Sequence, residues 1–275
     1  MDMENAEENN NYKIAVPSAF STVFSHFYFG ENKSNFPVTK TLLPSFQTIL
    51  IFNFGAKAFF KSQQNTILEM DKCIVLGPIK QAIEYTLEPD SEILVANFKE
   101  DAFYRFFGNA LLTHSLPIHP NALIPENCFT TLWEELKNIV DNQKRVDYIL
   151  EFCKPYLREQ NAITTFLADF KEEALNPIKV IASKMNQTER NIQLNQKKFF
   201  GYTIKELNRY ERFLKAVEQI EENILNDLKT DWLSIVDQCG YYDQSQLIHD
   251  FKYYMNISPT KFLKFQSDIC SSKAD

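Results

Sequence analysis

Residues 230–262 read TDWLSIVDQCGYYDQSQLIHDFKYYMNISPTKF, and this stretch predicts two short helices that meet at a sharp turn. Thr230 or Asp231 can cap the first helix, because a side-chain oxygen there accepts from the free amides of the first turn. Gly240 then ends that helix, since glycine adopts the left-handed backbone conformation at low cost. The pattern is typical of a helix-turn-helix, and hence of a DNA-binding protein.

The second helix of this stretch has an apolar face and a polar face. Asp243 and Gln246 form a pair that resembles a capping box at its start. Leu247, Phe251 and Tyr254 recur at helical spacing and predict a buried stripe. The polar side chains able to bond to base edges in a major groove are Gln244, Ser245, Gln246, His249 and Lys252. We expect these residues to bind DNA, because they lie in the half of the helix that normally touches bases.

The spacing alone leaves open a small helical domain without a DNA-binding role. The stretch, however, resembles the second helix-turn-helix of AraC/XylS-type transcriptional regulators. The residues that carry this resemblance are Trp232, Gly240, Tyr241, Asp243, Gln244, Ser245, Phe251, Lys252, Ile257, Ser258, Pro259 and Phe262. The resemblance implies a transcriptional regulator that binds double-stranded DNA.

A second candidate helix-turn-helix comes earlier in the chain. Pro177 suits a first helical turn, Thr188 can cap the following helix, and Gly201 follows the end of that helix. Residues 188–193 read TERNIQ and resemble the first helix-turn-helix of the same family. By this resemblance the candidate DNA contacts are Arg190, Asn191, Gln193 and Lys197. An ion pair of Arg190 with Glu189 or Glu206 is the structural alternative.

Two residues of this helix depart from the family pattern. Leu194 stands where the family usually has an arginine, which implies that one phosphate or base contact is lost. Gln196 stands where the family usually has an aromatic ring, so a polar side chain is expected at a core position. Because the earlier helix-turn-helix departs from the family pattern at these two positions, we expect the later one to carry more of the sequence specificity.

A long helix is predicted between the two units. Thr203 and Glu206 form a capping box, and apolar residues recur at spacings of three and four from Ile204 to Ile224. Twenty helical residues span about 30 Å. Such a strut can place two recognition helices in successive major grooves, about 34 Å apart. Arg209 and Arg212 are expected to contact phosphates on its outer side.

The charge distribution is unusual for a DNA-binding protein. The chain has 275 residues, of which 44% are hydrophobic and 24% charged, and its formal net charge is −7. Residues 175–275 contain 14 Lys and Arg against 13 Asp and Glu, so the acidic surplus lies upstream. We therefore expect DNA binding that uses two modules or a homodimer and that weakens as salt rises.

The region from residue 19 to about residue 103 is rich in strand-forming residues. The predicted strands are 21–29, 48–54, 58–61, 73–77, 82–87 and 92–98. Their spacing predicts an antiparallel barrel or sandwich wide enough for one small molecule. In AraC-type regulators the corresponding part is commonly a cupin-like barrel, so the resemblance implies that it senses an effector or mediates dimerisation.

Amphipathic helices follow this region. Leu132, Trp133, Leu136, Ile139 and Val140 share one stripe, and Val146, Ile149, Leu150, Cys153, Tyr156 and Leu157 share another. These stripes either pack against their own barrel or form a homodimer interface. A third helix is predicted over residues 163–175.

The expected fold is α+β, with a cupin-like antiparallel β-barrel and a helical linker before an all-α tandem helix-turn-helix domain. The predicted parts are a disordered leader (1–18), a β-rich sensor-type domain (19–124), a helical linker that can dimerise (125–174) and an AraC-type DNA-binding domain (175–275).

No feature of the sequence predicts an enzyme, a cofactor or a bound metal. The five cysteines are scattered without a Cys-x-x-Cys pair, and His26, His114 and His119 lack ligand spacing. We expect free thiols, no membrane-spanning segment, and a cytoplasmic protein whose leader is too acidic for a signal peptide. The alternatives are a protein-interaction module with a degenerate helix-turn-helix and a cupin-type metal enzyme.

Overall fold

The structure is a computed structural model of the chain, and it describes residues 10–61, 65–110, 112, 117–124, 128–169, 177–226 and 228–271. Contacts divide the chain into two compact units. The first comprises Met1–Ile79 and Ile83–Thr203, and the second comprises Lys80–Ala82 and Ile204–Asp275. The predicted domain boundaries near residues 124 and 174 are not the division between these units, and they stay predictions.

The first unit contains two antiparallel sheets, with strand orders β1-β2-β9-β4-β7 and β3-β8-β5-β6. In chain order the strands are β1 (Asn11–Ile14), β2 (Phe24–Asn32), β3 (Val38–Leu42), β4 (Ile49–Asn53), β5 (Ala58–Lys61), β6 (Ile67–Met70), β7 (Cys73–Leu76), β8 (Ile83–Leu87) and β9 (Ser91–Phe98). Every strand predicted from the sequence is present. The mixed fold with an N-terminal antiparallel β domain and a helical C-terminal region is confirmed.

Three strands were not predicted, and one of them corrects the disordered leader. β1 lies within residues 1–18, so the leader is ordered at Asn11–Ile14, while residues 1–9 lie outside the described residues. Asn11 pairs with Gly30 and Ile14 with Phe27 of β2. Hydrogen bonds to the backbone of a neighbouring strand order this segment. Because these bonds do not involve the side chains, the sequence pattern does not predict them.

The five-stranded sheet is covered on both faces. Ile49 and Ile51 of β4 face a core shared with the four-stranded sheet, while Leu50 and Phe52 face a second core shared with helices. Alternate residues of a strand point to opposite faces, so a strand covered on both sides has both sets of side chains buried. This explains why all of β4 is buried.

Helices of the first unit pack on the outer face of this sheet or follow it in the chain. They are α1 (Ala102–Phe107), α2 (Cys128–Lys137), α3 (Asn142–Cys153), α4 (Ala162–Asp169), α5 (Pro177–Lys184) and α6 (Glu189–Phe200). The predicted stripe through Val140 is too long, because α2 ends at Lys137 and Val140 is 92% exposed. Asp141 caps α3 by accepting from the Lys144 amide, so residues 138–141 are a connection.

The apolar stripes of α2 and α3 are buried within the first unit. Leu132 and Leu136 of α2 and Val146 and Ile149 of α3 belong to the core beneath the five-stranded sheet. Of the two partners that the sequence left open for these stripes, the structure selects the protein's own β domain. These side chains are therefore not the interface of a homodimer.

Helices form the second unit. They are α7 (Ile204–Leu225), α8 (Trp232–Gln238), α9 (Gln244–Met255) and α10 (Pro259–Ser271). Phe213 of α7 contacts Phe251 and Tyr254 of α9, with ring centroids 5.0 and 4.6 Å apart. Among the described residues, every helix of the protein is too short or too polar to cross a lipid bilayer.

Candidate nucleic-acid interface

The turn between α8 and α9 is built as the sequence predicts. Asp231 caps α8 by accepting from the Leu233 amide at 3.0 Å. Gly240 has a φ of 74°, and the amide of Tyr241 donates back to the carbonyl of Val236 at 2.9 Å. A left-handed residue after the helix, with an amide returned to the last turn, lets the chain reverse within a few residues. α8 and α9 therefore form a helix-turn-helix.

The start of α9 is closed by a reciprocal pair of hydrogen bonds. Asp243 Oδ1 accepts from the Gln246 amide at 2.8 Å, and Gln246 Oε1 accepts from the Tyr242 amide at 2.9 Å. This resembles a capping box. The side chain of Gln246 is half buried and engaged in the cap. A base contact through its Oε1 would compete with this bond, so Gln246 is a poorer candidate for base reading than its exposed neighbours.

The exposed face of α9 presents the other predicted DNA-binding residues. Gln244, Ser245, His249 and Lys252 are all exposed. Leu247, Phe251 and Tyr254 are buried on the opposite face and hold the helix against α7 and α10. The polar side chains are thus presented together from a helix anchored by its apolar stripe.

Asp250 holds α9 against α7 through two arginines. Its carboxylate is 1% exposed and accepts from Arg209 Nε at 2.6 Å and from Arg212 Nη2 at 2.9 Å. The guanidinium groups also lie over the rings of Tyr253 and Tyr241, at 4.4 and 4.5 Å from the centroids. Burial alone would lower the pKa of Arg212, but the hydrogen bond and charge of Asp250 raise it above its ordinary value.

These contacts correct the expectation that Arg209 and Arg212 lie free for phosphates. Both arginines are committed to an acid in the core of the second unit. The sequence carries a signal for this, because Asp250 lies at helical spacing within the apolar stripe of Leu247 and Tyr254. A charged residue at such a position is almost never buried without a partner of opposite charge.

The two helices of the first predicted helix-turn-helix are present as α5 and α6. Thr188 caps α6 by accepting from the Asn191 amide at 3.2 Å, and Gly201 ends it with a φ of 78°. The candidate DNA contacts Arg190, Asn191, Gln193 and Lys197 are all exposed. Asn191 Nδ2 donates to Gln187 Oε1 at 2.9 Å. Within the described part of the chain, Arg190 takes part in no ion pair.

Gln196 is buried at a core position of α6, as the sequence predicts. It is 3% exposed, and its Oε1 accepts no hydrogen bond from the described residues. Leu194, in contrast, is 60% exposed. The helix therefore has a polar group inside and an apolar group outside.

α6 packs against the N-terminal β domain within the first unit, which the sequence did not predict. The Phe199 ring contacts that of Tyr104 in α1, with centroids 4.5 Å apart. The amide of Ala110 donates to the carbonyl of Lys198 at 3.3 Å. These residues are far apart in sequence, and no motif near either of them predicts the contact.

The described His and Cys side chains of the β domain do not form an enzymatic or metal site. Among the described residues, no group of three or more His, Cys, Asp or Glu side chains is placed to hold a metal ion. Cys73 Sγ lies 3.4 Å from His119 Nε2, a contact that the sequence did not predict, and His114 lies outside the described residues. Burial raises the pKa of the Cys73 thiol to about 12 and lowers the pKa of His119. Both groups are therefore neutral near pH 7, and the thiol is not an activated nucleophile.

Comparison with protein families gives one match. The family described as "Bacterial regulatory helix-turn-helix proteins, AraC family" matches residues 224–264. These residues run from the end of α7 through α8 and α9 into α10. The first helix-turn-helix lies outside the match. Comparison with curated protein sequences finds no significant match.

Solved structures of ToxT from Vibrio cholerae are among the similar folds. One, at 1.65 Å resolution, has 12% sequence identity and a TM-score of 0.41, with 87% of this chain and 98% of that chain covered. Another, ToxT bound to (E)-4-(8-methylnaphthalen-1-yl)but-3-enoic acid, has 12% identity and a TM-score of 0.40, with 87% and 99% covered.

Proposed function

We propose that the chain is a sequence-specific transcriptional regulator, because residues 224–264 match the family of AraC-type bacterial regulatory helix-turn-helix proteins. The observation that carries this proposal is the geometry of α9. Its start is capped, its apolar stripe is buried, and Gln244, Ser245, His249 and Lys252 are exposed on its other face. Such a helix can enter a major groove and bond to base edges.

The proposal includes a second contact through α6. Arg190, Asn191, Gln193 and Lys197 are exposed there and can bind phosphates or bases. The C-terminal region has only a small excess of basic residues. Two recognition helices compensate for this, because the phosphate contacts of both helices contribute to the affinity. We expect α9 to carry more of the specificity.

We further propose that the N-terminal β domain tunes DNA binding, through an effector or through homodimerisation. The packing of Phe199 of α6 on Tyr104 of α1 supports this, because a change in the β domain that moves α1 also moves α6. A homodimer would use a surface other than the buried stripes of α2 and α3. As a DNA-binding regulator, the protein is expected to act in the cytoplasm.

The test is binding of the full-length protein to DNA from the region upstream of its own gene, measured by footprinting and by titration at several salt concentrations. We expect a protected site and an affinity that falls steeply as salt rises. A Gln244→Ala/His249→Ala double variant should lose discrimination, because each lost base contact costs about 1–3 kcal/mol. Gln143→Ala, an exposed change on α3, is the matched control.

The competing interpretations give different results in the same experiments. A protein-interaction module with a degenerate helix-turn-helix would have no salt-sensitive affinity for DNA. A cupin-type metal enzyme would retain a metal ion after purification, which elemental analysis detects. The family match points to a regulator rather than an enzyme.

A further inference from the structure

Leu194 lies at the centre of the exposed face of α6. It is 60% exposed. On a helix surface the neighbours of a residue are those three and four positions away, and for Leu194 these are Arg190, Asn191, Lys197 and Lys198. All four are exposed. One large apolar side chain is therefore surrounded by hydrogen-bond donors, most of them cationic.

The opposite face of α6 excludes a role for Leu194 in the core. Ile192, Gln196 and Phe199 are buried there, two or five residues away from Leu194 in sequence. At about 100° per residue, these positions are on the far side of the helix. Leu194 consequently contributes little to the packing of α6, and an exposed leucine is available to a partner of this face.

The chemistry of the major groove identifies the group that Leu194 can contact. Among the base edges in that groove, the C5 methyl of thymine is the apolar group, and it is recognised by apolar side chains. Arg190 and Lys197 beside Leu194 can bind the phosphates that flank the groove. This surface therefore suits a groove with a methyl group opposite its centre.

We propose that Leu194 is a specificity-determining residue that reads a thymine methyl group. The inference rests on the proposed function, because it requires α6 to enter a major groove. Leu194 stands where an arginine would favour guanine. The replacement changes the base that is preferred at this position rather than removing recognition altogether.

The expected size of the effect follows from the burial of one methyl group, which changes an equilibrium constant by about fourfold. Deoxyuridine tests this directly, since it pairs like thymidine but lacks the C5 methyl. In the wild-type protein, replacing the thymine that faces Leu194 should weaken binding about fourfold. In Leu194→Ala the same replacement should have no effect, because the contact is already absent.

The experiment uses the full-length protein. Duplexes that it binds are first selected from a random library, and each thymine of the selected site is then replaced by deoxyuridine in turn. Wild type is compared with Leu194→Ala and with Leu43→Ala, in which a leucine 54% exposed in the β domain is changed in the same way. Circular dichroism melting checks that the variants are folded.

The result that supports the proposal is a thymine whose replacement weakens wild type and Leu43→Ala but not Leu194→Ala. If a site is selected and Leu194→Ala retains the full deoxyuridine pattern of wild type, the assignment of Leu194 is wrong while the proposed function stands. If no sequence is selected and no salt-sensitive DNA binding is found, the proposed function fails, and this inference fails with it.

Discussion

At the scale of single residues, α6 has a polar group inside and an apolar group outside. Gln196 is 3% exposed, and its Oε1 accepts no hydrogen bond from the described residues. A buried acceptor without a partner costs about 1–3 kcal/mol, because it has lost its bonds to water. The buried amide of Gln196 therefore lowers the stability of the protein, and an apolar residue of similar size would remove this penalty.

Gln196→Met should raise the free energy of unfolding by about 1 kcal/mol, because methionine has a similar length and no unbonded oxygen. Urea unfolding followed by circular dichroism measures the change. Gln193→Met on the exposed face of α6 is the control, and its effect should stay within about 0.5 kcal/mol. A loss of stability in Gln196→Met would show that the buried amide makes a contact the protein needs.

The buried cysteines should be unreactive in the folded protein. Burial raises the pKa of Cys73 to about 12 and also raises the pKa of Cys153. Because the thiolate is the reactive form, little of either thiol can react at pH 8. We expect iodoacetamide to leave both unmodified in the native protein and to modify both in urea, as read by peptide mass spectrometry. Rapid native labelling of Cys73 would contradict this expectation and show that its thiol is accessible and ionised in the folded protein.

At the scale of helices, α9 is held to α7 by packing and by charge. The rings of Phe251 and Tyr254 contact Phe213, and the carboxylate of Asp250 joins Arg209 and Arg212. The acid is buried while the arginines keep part of their surface in water, so the network stabilises the orientation of α9 more than a surface ion pair would. The exposed residues of α9 depend on this orientation.

Asp250→Asn should lower the free energy of unfolding by about 2 kcal/mol, because it keeps the shape of the side chain but leaves two arginines without their counter-charge. It should also weaken DNA binding, since α9 is less firmly oriented. Asp237→Asn, an exposed acid on α8, is the matched control and should change stability by less than about 0.5 kcal/mol. Equal stability of the two variants would mean that the network is dispensable.

At the scale of the whole molecule, the two helix-turn-helix units belong to different compact units. α5 and α6 cluster with the β domain, and α8 and α9 cluster with α7. The apolar surface of α6 is covered in part by Tyr104 of α1. The first helix-turn-helix therefore depends on the β domain for part of its packing.

A fragment of residues 177–275 should show this dependence. Without α1, Phe199 loses its aromatic contact and the carbonyl of Lys198 loses the Ala110 amide, so α6 should open more readily. Hydrogen exchange followed by mass spectrometry should be faster in α6 of the fragment than in α6 of the full chain. Exchange in α8, which packs on α7 and α9 within the fragment, should be unchanged, and α8 serves as the internal control. Equal exchange of α6 in both proteins would contradict the dependence.

Much of the candidate interface could be predicted from local chemistry. Gly240, Gly201, Asp243 and Thr188 act within a few residues of their own positions, so a turn or cap can be recognised without the rest of the fold. The burial of Gln196 was expected from the family resemblance, whereas the exposure of Leu194 is a finding of the structure. The DNA-binding assignments themselves stay predictions that rest on resemblance and on this exposure.

The sequence by itself determined most of the helices, the caps and glycine stops of both candidate helix-turn-helix units, and six of the strands, because each depends on residues close together in the chain. Only the tertiary structure decided the partners of charged and apolar groups distant in sequence. It pairs Arg209 and Arg212 with Asp250, it buries the stripes of α2 and α3 in their own domain, and it packs α6 against α1. A buried charge takes whichever counter-charge the fold brings within reach, and an apolar stripe takes whichever surface covers it. The periodicity of a single helix predicts neither the counter-charge nor the covering surface.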